Sequence, residues 1–253
     1  MANGYGSNER ILAKLDEYLH KDDYASAERH LRYWLEDAER QQNFHTEILM
    51  RNELMGLYRK LGKKQEALTH ADTALRRIDE LELGGQIGAA TTFLNCATVY
   101  KAFGMADRSL PLFERARTIY EAELSRDDPR LGGLYNNMGL TLVDLRRFDE
   151  AEQLYALALS VMEQVEDGAP ERAITYLNLA SAAEARLGAL EADEIIGAYL
   201  DRAEALLESH PTRDGAYAFV CEKCASVFGY YGRFLYENTL KERARRIYGH
   251  EGT

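Results

Sequence analysis

The sequence contains little cysteine, little proline and no long apolar run. Its 253 residues include three cysteines and four prolines. Three cysteines cannot form a disulfide framework in a chain of this length, and an odd number suits a reducing compartment. No stretch approaches the roughly 18 uninterrupted apolar residues of a membrane-spanning helix, and the start of the chain lacks the apolar segment of a signal peptide. We therefore expect a cytoplasmic protein with no membrane partner.

Positive charge is scarce as well. Lys and Arg total 31 against 42 Asp and Glu, which gives a formal net charge of −11. A surface of this average sign repels a phosphate backbone, so we expect no nucleic-acid partner. Ala, Leu, Glu and Arg are abundant instead, and they favour helix over most of the chain.

The sequence also lacks a complete catalytic motif. The six histidines are scattered, and none has the paired spacing of a helical zinc site. Cys221 and Cys224 form a C-x-x-C, but zinc would require a second ligand pair and redox chemistry a strand-helix context. Adjacent acids such as Asp149 and Glu150 fall where helices should begin, and there they offset the helix dipole. We predict no enzyme activity, no cofactor and no metal; the enzyme hypothesis depends on the C-x-x-C and the scattered acids alone.

What the sequence does contain is a repeat of 42 residues. Three columns of the alignment share this period: Tyr58, Tyr100 and Leu142; Ala67, Ser109 and Ala151; Ala74, Ala116 and Ala158. The small residues let the second helix of a pair approach the first, while large residues such as Phe113 and Tyr155 fill the space between pairs. Gly62 and Gly104 lie where the first helix must end, and Arg146 replaces this glycine in the next repeat.

This pattern resembles the tetratricopeptide repeat: an aromatic residue on the first helix, a turn glycine, then Ala, an aromatic residue and Ala on the second. The usual period of that family is about 34 residues, so a period of 42 predicts about one extra turn on each helix. First helices with FLNCA, YNNMG and YLNLA are similar to repeats of the kinesin light chain type. The resemblance implies an all-α fold, a right-handed α-α superhelix (TPR-like solenoid) of about six helix-turn-helix repeats and about twelve helices.

The repeat leaves no need for a separate domain boundary. We expect a single solenoid domain over residues 8–249, with a flexible tail at 1–7 and another at 250–253. The repeats should lie at approximately 8–42, 43–84, 85–126, 127–168, 169–211 and 212–249. The first and last repeats fit the pattern loosely, as the capping of a solenoid requires.

Asparagines recur on the predicted first helices and are the best candidates for a binding site. Asn95, Asn137 and Asn178 are separated by 42 and 41 residues, with Asn136 beside one of them and Asn52 in the preceding repeat. An amide both donates and accepts, so a row of them can pair with an extended peptide backbone. The resemblance to the kinesin light chain type implies that matching asparagines hold peptide cargo. An equally strong alternative is that they tie neighbouring repeats together by buried hydrogen bonds.

Two further groups bear on partners. Arg59 and Lys101 lie near the same wall, beside lysines at the following turn, and predict a preference for an acidic segment or a C-terminal carboxylate. Aromatic residues crowd the last turn: Phe228, Tyr230, Tyr231, Phe234 and Tyr236. They are expected to seal the core rather than to form an aromatic hot spot, and self-association through an end repeat remains open.

These features together predict a non-enzymatic protein- or peptide-binding scaffold that uses the concave groove of its superhelix. The alternative is a regulatory sensor, in which a bound peptide changes the superhelix and so controls an effector.

Overall fold

The computed structural model describes residues 5–249, and this part of the chain is built from helices joined by turns. Its twelve helices are α1 Tyr5–Leu19, α2 Tyr24–Arg40, α3 Phe44–Lys60, α4 Lys64–Glu80, α5 Ile87–Ala102, α6 Ala106–Glu123, α7 Pro129–Asp144, α8 Phe148–Glu163, α9 Ala169–Leu187, α10 Asp193–Ser209, α11 Gly215–Tyr230 and α12 Phe234–Ile247. The predicted all-α class and helix number are thereby confirmed for the described residues. None of these helices is long and apolar enough to cross a bilayer.

The helices pair into hairpins within two compact units, Met1–Glu123 (the N-terminal unit) and Leu124–Thr253 (the C-terminal unit). In the N-terminal unit α1 pairs with α2, α3 with α4 and α5 with α6, and α3 also packs against α5. In the C-terminal unit α7 pairs with α8, α9 with α10 and α11 with α12. There the first helix of each hairpin packs against the next, α7 on α9 and α9 on α11.

The predicted domain limits differ slightly from the helix bounds. Helix α1 begins at Tyr5, three residues before the expected start of the solenoid at Asn8. Residues 1–4 of the predicted N-terminal tail and the whole predicted tail at 250–253 lie outside the described residues.

The repeated small residues lie at the centre of the hairpins, as predicted. The alanines of both columns are fully buried: Ala67, Ala74, Ala116, Ala151 and Ala158. Ser109, which occupies an alanine position, is equally buried, and its hydroxyl donates to the carbonyl oxygen of Ala97 over 2.8 Å. The hydroxyl is therefore tolerated because its hydrogen-bonding capacity is met inside the hairpin.

Large and small residues exchange places between the first and second of three successive repeats, and the third repeat keeps the second arrangement. The residues at two facing columns are Met55 with Ala71, Ala97 with Phe113, and Gly139 with Tyr155. In the last pair a Cβ added to Gly139 would lie 2.5 Å from Cε1 of Tyr155, which is too close for any side chain. The glycine at 139 is therefore explained by the ring it faces, and the interior stays close-packed through the exchange.

The turn after the first helix has one geometry in successive repeats. A backbone N–H beyond the turn donates back to the carbonyl five residues earlier, from Lys63 to Tyr58 (2.9 Å), from Met105 to Tyr100 (2.9 Å) and from Arg147 to Leu142 (2.8 Å). This motif needs a left-handed residue just before the donor. Gly62 and Gly104 supply it with φ of 68° and 74°, and Arg146 supplies it with φ of 58°. The third turn therefore keeps its shape without glycine, at the cost of a strained arginine.

Candidate functional site

Three polar residues join first helices α3 and α5 in the N-terminal unit. The amide nitrogen of Asn52 donates to the hydroxyl of Thr92 over 3.0 Å, and the amide nitrogen of Asn95 donates to Oδ1 of Asn52 over 3.1 Å. Thr92 is fully buried and donates in turn to the carbonyl of Gly88 on its own helix. Asn52, Thr92 and Asn95 are called the N-terminal clasp below.

The same arrangement recurs between α7 and α9. Asn136 donates to the hydroxyl of Thr175 over 2.9 Å, Asn178 donates to Oδ1 of Asn136 over 3.2 Å, and Thr175 donates to the carbonyl of Glu171. These three residues, the C-terminal clasp, lie two repeats beyond their N-terminal counterparts. Asn136 is only 6% exposed. Four of the five predicted asparagines therefore form hydrogen bonds between repeats, the alternative that the sequence left open.

Asn137 is arranged differently from its neighbour Asn136. Its amide nitrogen bonds the carbonyl of Gly133 on the same helix over 2.9 Å, and it takes no part in the clasp. Within residues 5–249 the Oδ1 atoms of Asn95, Asn137 and Asn178 accept no hydrogen bond. These half-buried oxygens are free to accept from a donor such as a peptide N–H.

A groove of about 600 Å³ runs across the first helices α7, α9 and α11. Asn136, Asn137 and Asn178 line it together with apolar side chains that include Leu140, Ile174, Leu177 and Val227. We call it the C-terminal groove. Apolar walls with a few polar groups that fix orientation are typical of binding pockets of this size, so the groove is the candidate site.

Three charged residues line the C-terminal groove, Arg130, Glu171 and Lys223, and none of them was predicted from the sequence. The carboxylate of Glu171 lies in the wall, and burial raises its pKa, an effect that the charge of Lys223 opposes in part. Glu171 occupies the first turn of α9, where an acid is ordinarily explained by the helix dipole. Only the packing of α7 and α11 beside it distinguishes Glu171 from such a surface acid.

The predicted basic residues belong to the other unit. Arg59 is exposed in the last turn of α3, and Lys101 is half-buried in the last turn of α5. At the turn after α3, Lys63 pairs with Glu28 over 2.8 Å, which balances part of the positive charge there. Arg59 and Lys101 are therefore not among the residues that line the C-terminal groove.

Cys221 and Cys224 are buried, free thiols on α11. Burial raises the pKa of both thiols, which disfavours the reactive thiolate. Among the described residues no group of three or more His, Cys, Asp or Glu side chains is placed to hold a metal ion.

The aromatic residues at the last turn divide into two groups. The ring of Tyr236 packs edge-on against buried Phe228 at 4.7 Å between centroids. The hydroxyls of Tyr230 and Tyr231 donate to the two carboxylate oxygens of Glu184 on α9, over 2.9 and 2.8 Å. Tyr230 and Tyr231 therefore attach the last hairpin to the preceding one, and Phe228 and Tyr236 pack within the last hairpin, whereas Phe234 remains 64% exposed.

Comparison with known proteins agrees with this architecture. The tetratricopeptide repeat matches residues 46–122 and 131–195, which is more than half of the chain. No curated protein matches it significantly in sequence.

Several solved structures share the fold. BtubC (BKLC) from P. vanneervenii is 20% identical with a TM-score of 0.57, and the alignment covers 91% of each chain. A candidate kinesin light chain from Podosopora anserina with nearly identical TPR-like repeats is 18% identical over 78% of this chain and 92% of that one, with a TM-score of 0.53. A Rap protein complexed with competence and sporulation factor is 14% identical, with a TM-score of 0.63, over 98% of this chain and 65% of its own length. The resemblance to repeats of the kinesin light chain type is thus confirmed at the level of the fold.

Proposed function

Because the chain belongs to the tetratricopeptide repeat family, we propose that it is a non-enzymatic protein- or peptide-binding scaffold and that the C-terminal groove is its binding surface. The observation that carries this proposal is a groove in which amide oxygens of α7 and α9, unpaired within the described part of the chain, lie beside apolar side chains of three consecutive first helices, α7, α9 and α11. Helices of one unit hold these groups in fixed register, which lowers the ordering cost of binding.

The proposed ligand is an extended segment of a protein or peptide. Its backbone N–H groups donate to Oδ1 of Asn137 and Asn178, and its apolar side chains contact Leu140, Ile174 and Val227. Backbone pairing supplies affinity for many sequences, and the apolar contacts select among them. The clasp contributes by fixing the rotamer of Asn178, whose amide nitrogen is already bonded to Asn136.

The test uses a phage-displayed heptapeptide library as its probe. Peptides selected on the wild-type protein are synthesised, and their Kd is measured for the wild type, Asn137→Ala and Asn178→Ala. We expect about fivefold weaker binding for each variant, the value of one hydrogen bond. Asn95→Ala is the matched control, since it removes the same inter-repeat hydrogen bond in the N-terminal clasp. Unchanged affinity in folded Asn137→Ala and Asn178→Ala would remove the groove from the proposal.

A second candidate function is the regulatory sensor. It is favoured by the likeness to the Rap protein, whose structure holds competence and sporulation factor. In this case a bound peptide changes the arrangement of the repeats and so exposes or hides an effector surface. Small-angle scattering with and without a selected heptapeptide should then give different profiles; identical profiles at saturation would contradict this alternative.

Two finer expectations about partners can be tested with the same protein. Arg59 and Lys101 predict that an acidic segment binds the N-terminal unit, which Arg59→Gln should weaken. Exposed Phe234 and Leu235 support self-association through the last hairpin. Light scattering of the wild type and of a Phe234→Ser/Leu235→Ser double variant will show whether a dimer forms and whether it depends on this surface.

A further inference from the structure

Among residues 5–249, the Glu171 carboxylate in the C-terminal groove has no hydrogen-bond or ion-pair partner. Its backbone carbonyl accepts from Thr175, but within residues 5–249 its side chain makes no hydrogen bond and no ion pair closer than 4 Å. The charge of Lys223 acts on it only at longer range. A half-buried carboxylate without donors is destabilising unless a ligand supplies them.

The surroundings of Glu171 favour one kind of ligand group. Ile174 and Leu177 line the groove on the same helix, and apolar neighbours reduce solvent screening, so an ion pair formed there is stronger than one on an open surface. A cationic donor supplies both the missing hydrogen bonds and the opposite charge. A neutral donor supplies the hydrogen bonds but not the opposite charge.

The positive charges of the groove limit how many cations can enter. Lys223 lines the same groove as an exposed side chain. Arg130, also in the lining, is held by the carboxylate of Asp128 over 2.7 and 2.9 Å. Asp128 therefore offsets the charge of Arg130, and a second ligand cation would be repelled by Lys223. The groove therefore favours a segment with one cation at one position over a polybasic segment.

We propose that the C-terminal groove selects an extended peptide segment that carries one cationic group, which pairs with the carboxylate of Glu171. This inference rests on the proposed function, because it assigns a specificity to the same groove. The cation is either a Lys or Arg side chain or the N-terminal ammonium of the peptide. This preference for a cationic ligand group is distinct from the preference for an acidic segment that is expected for the N-terminal unit.

The heptapeptide library is selected in parallel on the wild type, Glu171→Gln and Glu171→Lys. We expect wild-type binders to be enriched in Lys or Arg at one position of the aligned peptides, and Glu171→Lys to select Asp or Glu there. Synthetic wild-type binders should bind Glu171→Gln about tenfold more weakly, in keeping with the loss of a partly buried charge pair. The same peptides with acetylated N-termini separate the two cation sources: only recognition of the ammonium is lost on acetylation.

Two control variants make the result specific. Glu166→Gln changes the net charge equally but at an exposed residue outside the groove lining, and should bind as the wild type does. Lys223→Gln removes the competing charge and should strengthen binding about twofold to threefold. Circular dichroism melting confirms that each variant is folded.

The outcomes separate this inference from the proposed function. Binders that weaken in Asn137→Ala but lack a cation, or bind Glu171→Gln as tightly as the wild type, overturn the role of Glu171 and leave the groove intact. Failure to find any binder that is sensitive to Asn137→Ala overturns the proposed function, and the inference with it.

Discussion

The amide nitrogen of Asn178 lies 3.2 Å from the amide oxygen of Asn136, and this hydrogen bond connects α9 to α7. Asn136 also donates to buried Thr175. Asn137, the next residue, bonds only its own helix and lines the groove. Two adjacent asparagines therefore have different roles, one between repeats and one toward the groove.

Substitution should separate these roles. Asn136→Ala should lower the free energy of unfolding by about 2 kcal/mol, because it removes two hydrogen bonds and leaves buried groups unpaired. Asn137→Ala should change it by less than about 0.5 kcal/mol, as for most partly exposed positions. Urea denaturation measures the free energy of unfolding of both variants. Asn52→Ala makes the same change as Asn136→Ala in the N-terminal clasp and serves for comparison. Equal losses from Asn136→Ala and Asn137→Ala would contradict the assignment.

The hairpins could be predicted from the sequence because their contacts depend on side-chain size. A fully buried Ala67 or Ala158 is required wherever two helices approach closely, so the same residue type returns at a fixed interval. The asparagines are less predictable. Asn95 and Asn137 are 42 residues apart, yet Asn95 bonds Asn52 on the preceding first helix and Asn137 bonds only its own helix. The sequence therefore predicted which asparagines matter but not which of them join repeats.

Glu171 was missed for a related physical reason. Its charge is unremarkable in a first helical turn, and the residue 42 positions earlier, Pro129, is not an acid. Its burial results from neighbouring helices far apart in sequence. Only the three-dimensional structure places Lys223 in the same groove.

The packing of Gly139 against Tyr155 gives a second prediction. Gly139→Ala should destabilise the protein by about 2 kcal/mol, because the new Cβ overlaps the ring. Tyr155→Phe should instead stabilise it by about 1 kcal/mol, since the buried hydroxyl has no hydrogen-bond partner among the described residues.

The equivalent positions of the preceding repeat hold Ala97 and Phe113. Gly139→Ala should therefore cost less in the Tyr155→Phe background, which a double-mutant cycle by urea denaturation will measure. Strict additivity would show that the ring cannot shift to accept the new Cβ even without its hydroxyl.

The strained turn at Arg146 gives a third prediction about stability. Arg146→Gly relieves a left-handed conformation that costs about 1–2 kcal/mol. Glycine also raises the conformational entropy of the unfolded chain, which lowers stability by roughly 0.5–1 kcal/mol. The substitution further removes a cation–π contact with Phe148 that is worth about 0.5 kcal/mol. The free energy of unfolding, measured by thermal or urea denaturation, should therefore rise by a few tenths of a kcal/mol. Gly104→Arg, the reverse change one repeat earlier, should lower stability by about 1 kcal/mol. A loss of stability in Arg146→Gly would show that the arginine side chain outweighs the strain.

The burial of His70 predicts that the N-terminal unit is sensitive to acid. Its ring stacks on Tyr58 at 5.5 Å between centroids, and its Nδ1 is buried without a hydrogen-bond partner among the described residues. Burial, together with the positive charges of Arg51 and Arg32, lowers the pKa of His70 to about 4.

The unfolded chain binds a proton at His70 near pH 6.5, whereas the folded protein does so only near pH 4. Between these values the unfolded state holds more protons, so stability falls as the pH is lowered and is fully regained above about pH 6.5. We expect His70 to contribute about 1–2 kcal/mol of this loss after allowance for solvent screening. His70→Phe keeps a ring against Tyr58 but cannot be protonated, so its urea denaturation curves at pH 7 and pH 4.5 should lie closer together than those of the wild type. His20→Gln, which replaces an exposed histidine, should keep the full difference. If His70→Phe loses as much stability in acid as the wild type, carboxyl groups rather than this buried imidazole cause the sensitivity.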